Sequence, residues 1–314
     1  MGCCSRRWRW AWIVFAYLVN EAGNRSVSTA SLIMSAIKIG GIAIFAVAAI
    51  WASGFSGGAF AEPATGFQGM GFVASVAFSI LAFKGFTTIT NSGGEIVDAH
   101  RNVGRTIMIA IGICVVTYLL VPVAVGSSLS IERIIEARDY SLAAAAEPAL
   151  GPAGFWFTVV IAVTATASGV VASVFAVSRM LTMLTEMKLI PHRHFGMKGS
   201  LRSHLLVYTV VMAGALAVLF DLTRIAALGV FFYLVMDMLV HWGVFRHLRR
   251  EVGARATVLL AAMMADAVVL AAFSWVKLKN DPMVVLYAAI GIILVFAGEH
   301  AFLRGRERQD RAES

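Results

Sequence analysis

Apolar residues along the chain do not alternate with polar ones at a sheet or surface-helix period; they gather into long blocks separated by short polar stretches. Ser28 to Ala52 and Met283 to Leu303 each carry at most one ionised group over a length sufficient to cross about 30 Å of hydrocarbon. Nine such segments are predicted, at 10–22, 28–52, 70–93, 103–125, 155–184, 203–220, 222–245, 256–276 and 282–303, followed by a tail at 304–314. The apolar run of the first, Trp10 to Val19, has the length at which a buried or interfacial helix competes with a span. No long polar region interrupts the series, which predicts one membrane domain.

Within lipid a backbone must satisfy its own hydrogen bonds, so repeated apolar blocks rich in Gly and Ala predict an all-α transmembrane bundle. Composition agrees: 59% of the 314 residues are hydrophobic and 14% charged, with a mean hydropathy of +0.81. The net charge of +8 resides in short loops, where topology explains it better than nucleic-acid binding does. Cys3, Cys4 and Cys114 form no disulfide framework, and no Cys/His spacing points to a metal. His192 and His194 read as a solvated loop. Walker, redox-cofactor, HExxH and Gly-x-Ser-x-Gly signatures are absent from the sequence, so neither a cofactor nor an enzyme is expected.

Basic loop residues orient the bundle. Arg25, Arg101, Arg105, Lys188, Arg193, Lys198, Arg202, Arg246, Arg249, Arg250 and Arg255, with Arg304, Arg306, Arg308 and Arg311, fall on one side. That side is expected to be cytoplasmic and to carry the C-terminus, in a multi-pass protein of the plasma membrane. Arg6, Arg7 and Arg9 then lie on the opposite side, a conflict suggesting that the present N-terminus is not the one the bundle was built with.

Ionisable residues inside apolar segments are expensive and so draw attention. Lys38 sits near the middle of its segment, where insertion costs about 2.5–3.5 kcal/mol; snorkelling to an interface is the competing explanation. Asp237 and Asp266 are proton-relay candidates or, equally, protonated acids bonded between helices. Lys84 could face an aqueous cavity, neutralise an acid such as Asp237, or bind a substrate carboxylate.

Three blocks carry a resemblance. From Phe72 the chain reads FVASVAFSILAFKGFTTITNSGGEIVDAHRNVGRTI, with Phe83, Gly85 and Phe86, then Glu95, then Arg101 and Asn102. ATASGVVASVFAVSRMLTMLTEMKLIPHRHFG and NRSVSTASLIMSAIKIGGIAIF are the others. In this order they resemble the sixth, eighth and fifth spans of the amino acid–polyamine–organocation superfamily. Ala99 and Gly104 stand where that family often has Pro, and Thr87 where it has an acid. The resemblance implies two inverted five-helix repeats plus two extra helices, with substrate near mid-membrane at broken first and sixth spans. The first span here would match the family's fourth, so a permease lacking its first three spans is expected.

By that resemblance the helix break falls at Gly85, and Phe83, Lys84, Gly85, Phe86 and Thr87 are candidate substrate-binding residues. Lys38 would replace the cation of ion-coupled relatives, bonded to Thr166 or Ser168, with Asp237 a further proton or ion-coupling candidate. Glu95, Arg101 and Asn102 would form a cytoplasmic gate, although positive-inside anchoring explains the arginine equally well. The function implied is secondary transport of amino acids or related organic cations by alternating access, as proton symport or exchange for a counter-transported solute, with the lipid bilayer as the other partner. The alternative is a truncated, non-transporting remnant that inserts or associates with other membrane proteins.

Overall fold

A computed structural model describes residues 2–54, 58–61, 69–83, 85–86, 88–91, 96–137, 140–190 and 200–313. Among them all regular structure is helical: α1 (Gly2–Glu21), α2 (Asn24–Ser53), a short 3-10 turn (Gly58–Ala61), α3 (Gly69–Ala82), α4 (Thr88–Asn91), α5 (Ala99–Ser128), α6 (Ile131–Ala137), α7 (Ser141–Leu150), α8 (Pro152–Glu186), α9 (Leu201–Leu219), α10 (Leu222–Gly243), α11 (Ala256–Asn280) and α12 (Pro282–Glu313). Among the described residues, seven helices are long and apolar enough to cross a membrane: α2, α5, α8, α9, α10 with its following turn, α11 and α12. The apolar parts of α1 and α3, Ala11–Glu21 and Gly69–Ala82, are shorter. The protein is thus an all-α, polytopic membrane protein.

Local chemistry starts the helices where it should. Pro152 and Pro282 occupy first helical positions, where the missing N–H would have no partner anyway. At the start of α10 the Asp221 carboxylate accepts the Arg224 backbone N–H at 2.9 Å. Two features add to the predicted segments. Between two of them Ile131–Ala137 and Ser141–Leu150 form α6 and α7, and α12 runs on through the expected tail to Glu313.

Contacts divide the chain into two units. The first comprises residues 1–65, 85–183 and 194–214. Association in lipid depends on close packing rather than on removing apolar surface from water, which favours small residues at helix contacts. Phe45, Ala46 and Ala49 of α2 accordingly pack with Ala124 and Val125 of α5 and with Ala145 and Ala146 of α7. A second cluster joins Ala16, Val27, Val171, Val174 and Leu206. The 3-10 turn is pinned to the end of α5 by the Ala59 N–H, which donates to the Leu129 carbonyl at 2.7 Å.

The second unit comprises residues 66–84, 184–193 and 215–314. Ala74 and Ala77 of α3, Val230, Phe231 and Leu234 of α10, Val269 and Phe273 of α11, and Val284 and Ala288 of α12 form its core. Phe273 is its hub, meeting Phe78 edge-on at 5.2 Å and Phe231 at 5.1 Å between ring centroids. Outward positions in both units, including Leu32, Met108, Leu119, Ile293 and Leu294, are apolar and exposed, as lipid contact requires.

Candidate functional site

Lys38 lies 14 residues into α2, about 21 Å from its start at 1.5 Å per residue. The chain lodges it there by passing α2 close to α8: a Cβ built on Gly41 would stand 2.7 Å from the Ile161 side chain. Contacts from Lys38 to Ser168 and from Gly41 to Ile161 run in opposite numerical directions, so the two helices are antiparallel here. The half-buried Lys38 Nζ donates to the Ser168 Oγ at 3.4 Å, and Ser168 is itself buried. Thr166 is exposed and gives its hydroxyl to the Ala162 carbonyl at 2.8 Å, one turn back on its own helix. Of the two hydroxyls expected near Lys38, the structure therefore pairs it with Ser168. One turn further along α2, Ile42, Phe45, Leu142, Phe155 and Thr158 line an apolar cavity of about 360 Å³.

The predicted 70–93 segment is not one helix: α3 ends at Ala82 and α4 begins at Thr88. Gly85 adopts φ +117°, a conformation that side chains disfavour, although a Cβ there would meet nothing within 4 Å. Backbone shape rather than space therefore calls for glycine. The Phe83 N–H donates to Ile80 O at 3.1 Å, and the Phe86 carbonyl accepts the Ile89 N–H at 3.2 Å; both rings are partly buried. Lys84, Thr87 and Glu95 lie outside the described residues, as do His192 and His194.

Arg101 and Asn102 occupy the first turn of α5. Their backbone N–H groups donate to the Asp98 carbonyl at 3.1 and 2.9 Å, and the Asn102 Nδ2 donates to Val97 O at 2.7 Å. Asn102 thus closes the turn that enters α5, while Arg101 is exposed.

Asp237 belongs to the second unit, on α10, and joins a cluster there. Asp237 and His241 sit four residues apart on one helix face, with His241 Nδ1 3.9 Å from Asp237 Oδ2. Asp266 of α11 brings its Oδ2 to 3.3 Å from the same nitrogen. His241 escaped the sequence reading. Its only signal was the four-residue spacing from Asp237, and the contribution of Asp266 needs the packing of α10 on α11.

A family model described as amino acid permease matches residues 8–298, nearly the whole chain. The chain belongs to the amino acid permease family. It is similar to the inner membrane transport protein YbaT of Escherichia coli (strain K12), with 26% identity over 55% of this chain and 40% of that protein. Similarity to the uncharacterized protein MJ0609 of Methanocaldococcus jannaschii is 27% identity over 74% of this chain and 52% of that one. The permease chain thus spans about half the length of these relatives. Its membership makes it a multi-pass membrane protein of a permease family.

Proposed function

We propose that the protein moves amino acids or related organic cations across the plasma membrane by alternating access, coupled to protons or to a counter-transported solute. The observation that carries this reading is the Lys38 ammonium, held deep in α2 against the buried Ser168 hydroxyl. A cation placed there at an insertion cost of about 2.5–3.5 kcal/mol is put to use as the group whose charge changes during transport. The backbone opened around Gly85, between Phe83 and Phe86, supplies groups for the substrate, and Arg101 and Asn102 stand at the cytoplasmic gate. The same reading places nine spans in one membrane domain, with the C-terminus cytoplasmic.

The test is uptake of labelled amino acids and amines into vesicles reconstituted with the full chain, across a series of external pH values. Saturable uptake that varies with pH, and loses that variation in Lys38→Met, is expected. Unchanged pH dependence in K38M would reject the role of Lys38. Absence of saturable uptake for every amino acid and amine would reject the transport reading in favour of a membrane-inserted protein without transport.

A further inference from the structure

We propose that Asp237, His241 and Asp266 form a binding site for a divalent first-row transition-metal cation of the Zn²⁺ type, joining α10 to α11. Three ligand atoms, one imidazole nitrogen and two carboxylate oxygens, lie within 4.8 Å of one another. In a tetrahedral site with bonds of about 2.0–2.2 Å, neighbouring ligand atoms are separated by roughly 3.3–3.6 Å. The separation of His241 Nδ1 from Asp266 Oδ2, 3.3 Å, is already such an edge. The separation from Asp237 Oδ2, 3.9 Å, needs to close by only about 0.4 Å. Asp237 has room to do so, because its side chain is a third exposed.

A plain His–Asp pair accounts less well for the same atoms. His241 Nδ1 and Asp266 Oδ2 stand 3.3 Å apart, an ion pair only when the imidazole is protonated, and their geometry makes no hydrogen bond between them. Asp266 is 7% exposed, so its unsatisfied oxygen is shut off from solvent. Orphaned buried polar atoms ask for a missing partner, and a cation between them would satisfy both at once. Charge is compatible: a divalent ion displaces the protons of its ligands on binding, and two carboxylates with a neutral imidazole then cancel its charge.

Donor chemistry narrows the ion. Mg²⁺ and Ca²⁺ favour six or more oxygen ligands, whereas an imidazole with two carboxylates suits Zn²⁺ and its neighbours. Three protein ligands leave a coordination position open. The i, i+4 pair on α10 fixes two ligands on one face, and Asp266 approaches from α11 within the same unit. The ion therefore acts as a cross-link between two membrane helices.

Zn²⁺ chloride is titrated into the full chain, purified in detergent and stripped with chelator, with Mg²⁺ as the control; thermal unfolding and isothermal calorimetry are the readouts, and Co²⁺ absorption reports the ligand geometry. One equivalent of Zn²⁺ is expected to bind and to raise the melting temperature, with no rise from Mg²⁺. His241→Gln and Asp266→Asn are expected to weaken Zn²⁺ more than about tenfold and to abolish the visible bands of low-coordinate Co²⁺. Should D266N not fold, Asp237→Asn and H241Q, at more exposed positions, give the same readouts. Zn²⁺ affinity unchanged in H241Q, or no stoichiometric binding to the wild-type chain, would overturn the proposal.

Discussion

Replacing Gly58 by Ala adds one methyl group at a close backbone approach in the first unit. The new Cβ would stand 2.5 Å from Gly126 O, 2.7 Å from Leu129 O and 2.8 Å from Leu129 N. All three are backbone atoms, so no side chain can swing aside. A carbon rests about 3.3 Å or more from a carbonyl oxygen, and relief demands a displacement of roughly 0.8 Å. Moving the turn that far stretches the 2.7 Å bond from the Ala59 N–H to Leu129 O to the limit of a hydrogen bond, costing about 1 kcal/mol. The left-handed φ of +56° adds about 1–2 kcal/mol for a residue with a Cβ, and residual overpacking about 1 kcal/mol more. A loss of about 3–4 kcal/mol, lowering the melting point by roughly 6 °C or more, is expected. Circular dichroism melts of the purified chain in detergent measure it. Gly40→Ala is the control, since a Cβ at that helical position meets nothing within 4 Å; it is expected to be neutral or stabilising by up to about 1 kcal/mol. G58A melting within about 1 °C of wild type would refute the packing argument.

The two hydroxyls near Lys38 separate by function. Ser168→Ala removes the acceptor of the lysine ammonium and is expected to alter the pH profile of uptake, whereas Thr166→Ala is expected to leave it unchanged, because the Thr166 hydroxyl donates to the Ala162 carbonyl of its own helix; equal effects would reject the pairing. At the other end of the chain, Arg224 Nε lies 3.0 Å from Asp281 Oδ2 and 3.8 Å from Asp221 Oδ2. Asp281→Asn leaves Asp221 as a partner, so only a small loss of stability is expected at low salt. That loss should vanish in 1 M NaCl, where screening acts within about 3 Å; a difference surviving high salt would show that the contact is not electrostatic.

Long apolar runs made the spanning helices legible, because a stretch that cannot tolerate water announces itself without any knowledge of its neighbours. The break at Gly85 was legible only with its surrounding block, since an isolated membrane glycine reads as packing. Helices α6 and α7 were missed for a physical reason. Residues 141–150 are too short to span, contain Glu147 and Pro148, and owe their burial to α2 and α5, which supply the surfaces that cover Ala145 and Ala146. The choice of Ser168 over Thr166 depended on which face of α8 meets α2, a matter two residues of spacing do not settle. Asp237 and Asp266 were visible as misplaced charges, but their convergence on His241 depends on helix pairing, and the 28 residues between them conceal it.

The wide turn that ends α10 at Val244–Leu248 is π-helical. It inserts one residue into the winding, which shifts the rotational phase of everything beyond it by about 100°. The helix ends there: Arg246 lies in the wide turn itself and Arg249 and Arg250 in the turn that follows, so the basic residues form the terminus of the helix that carries Asp237 and His241, where cations offset the negative end of the helix dipole.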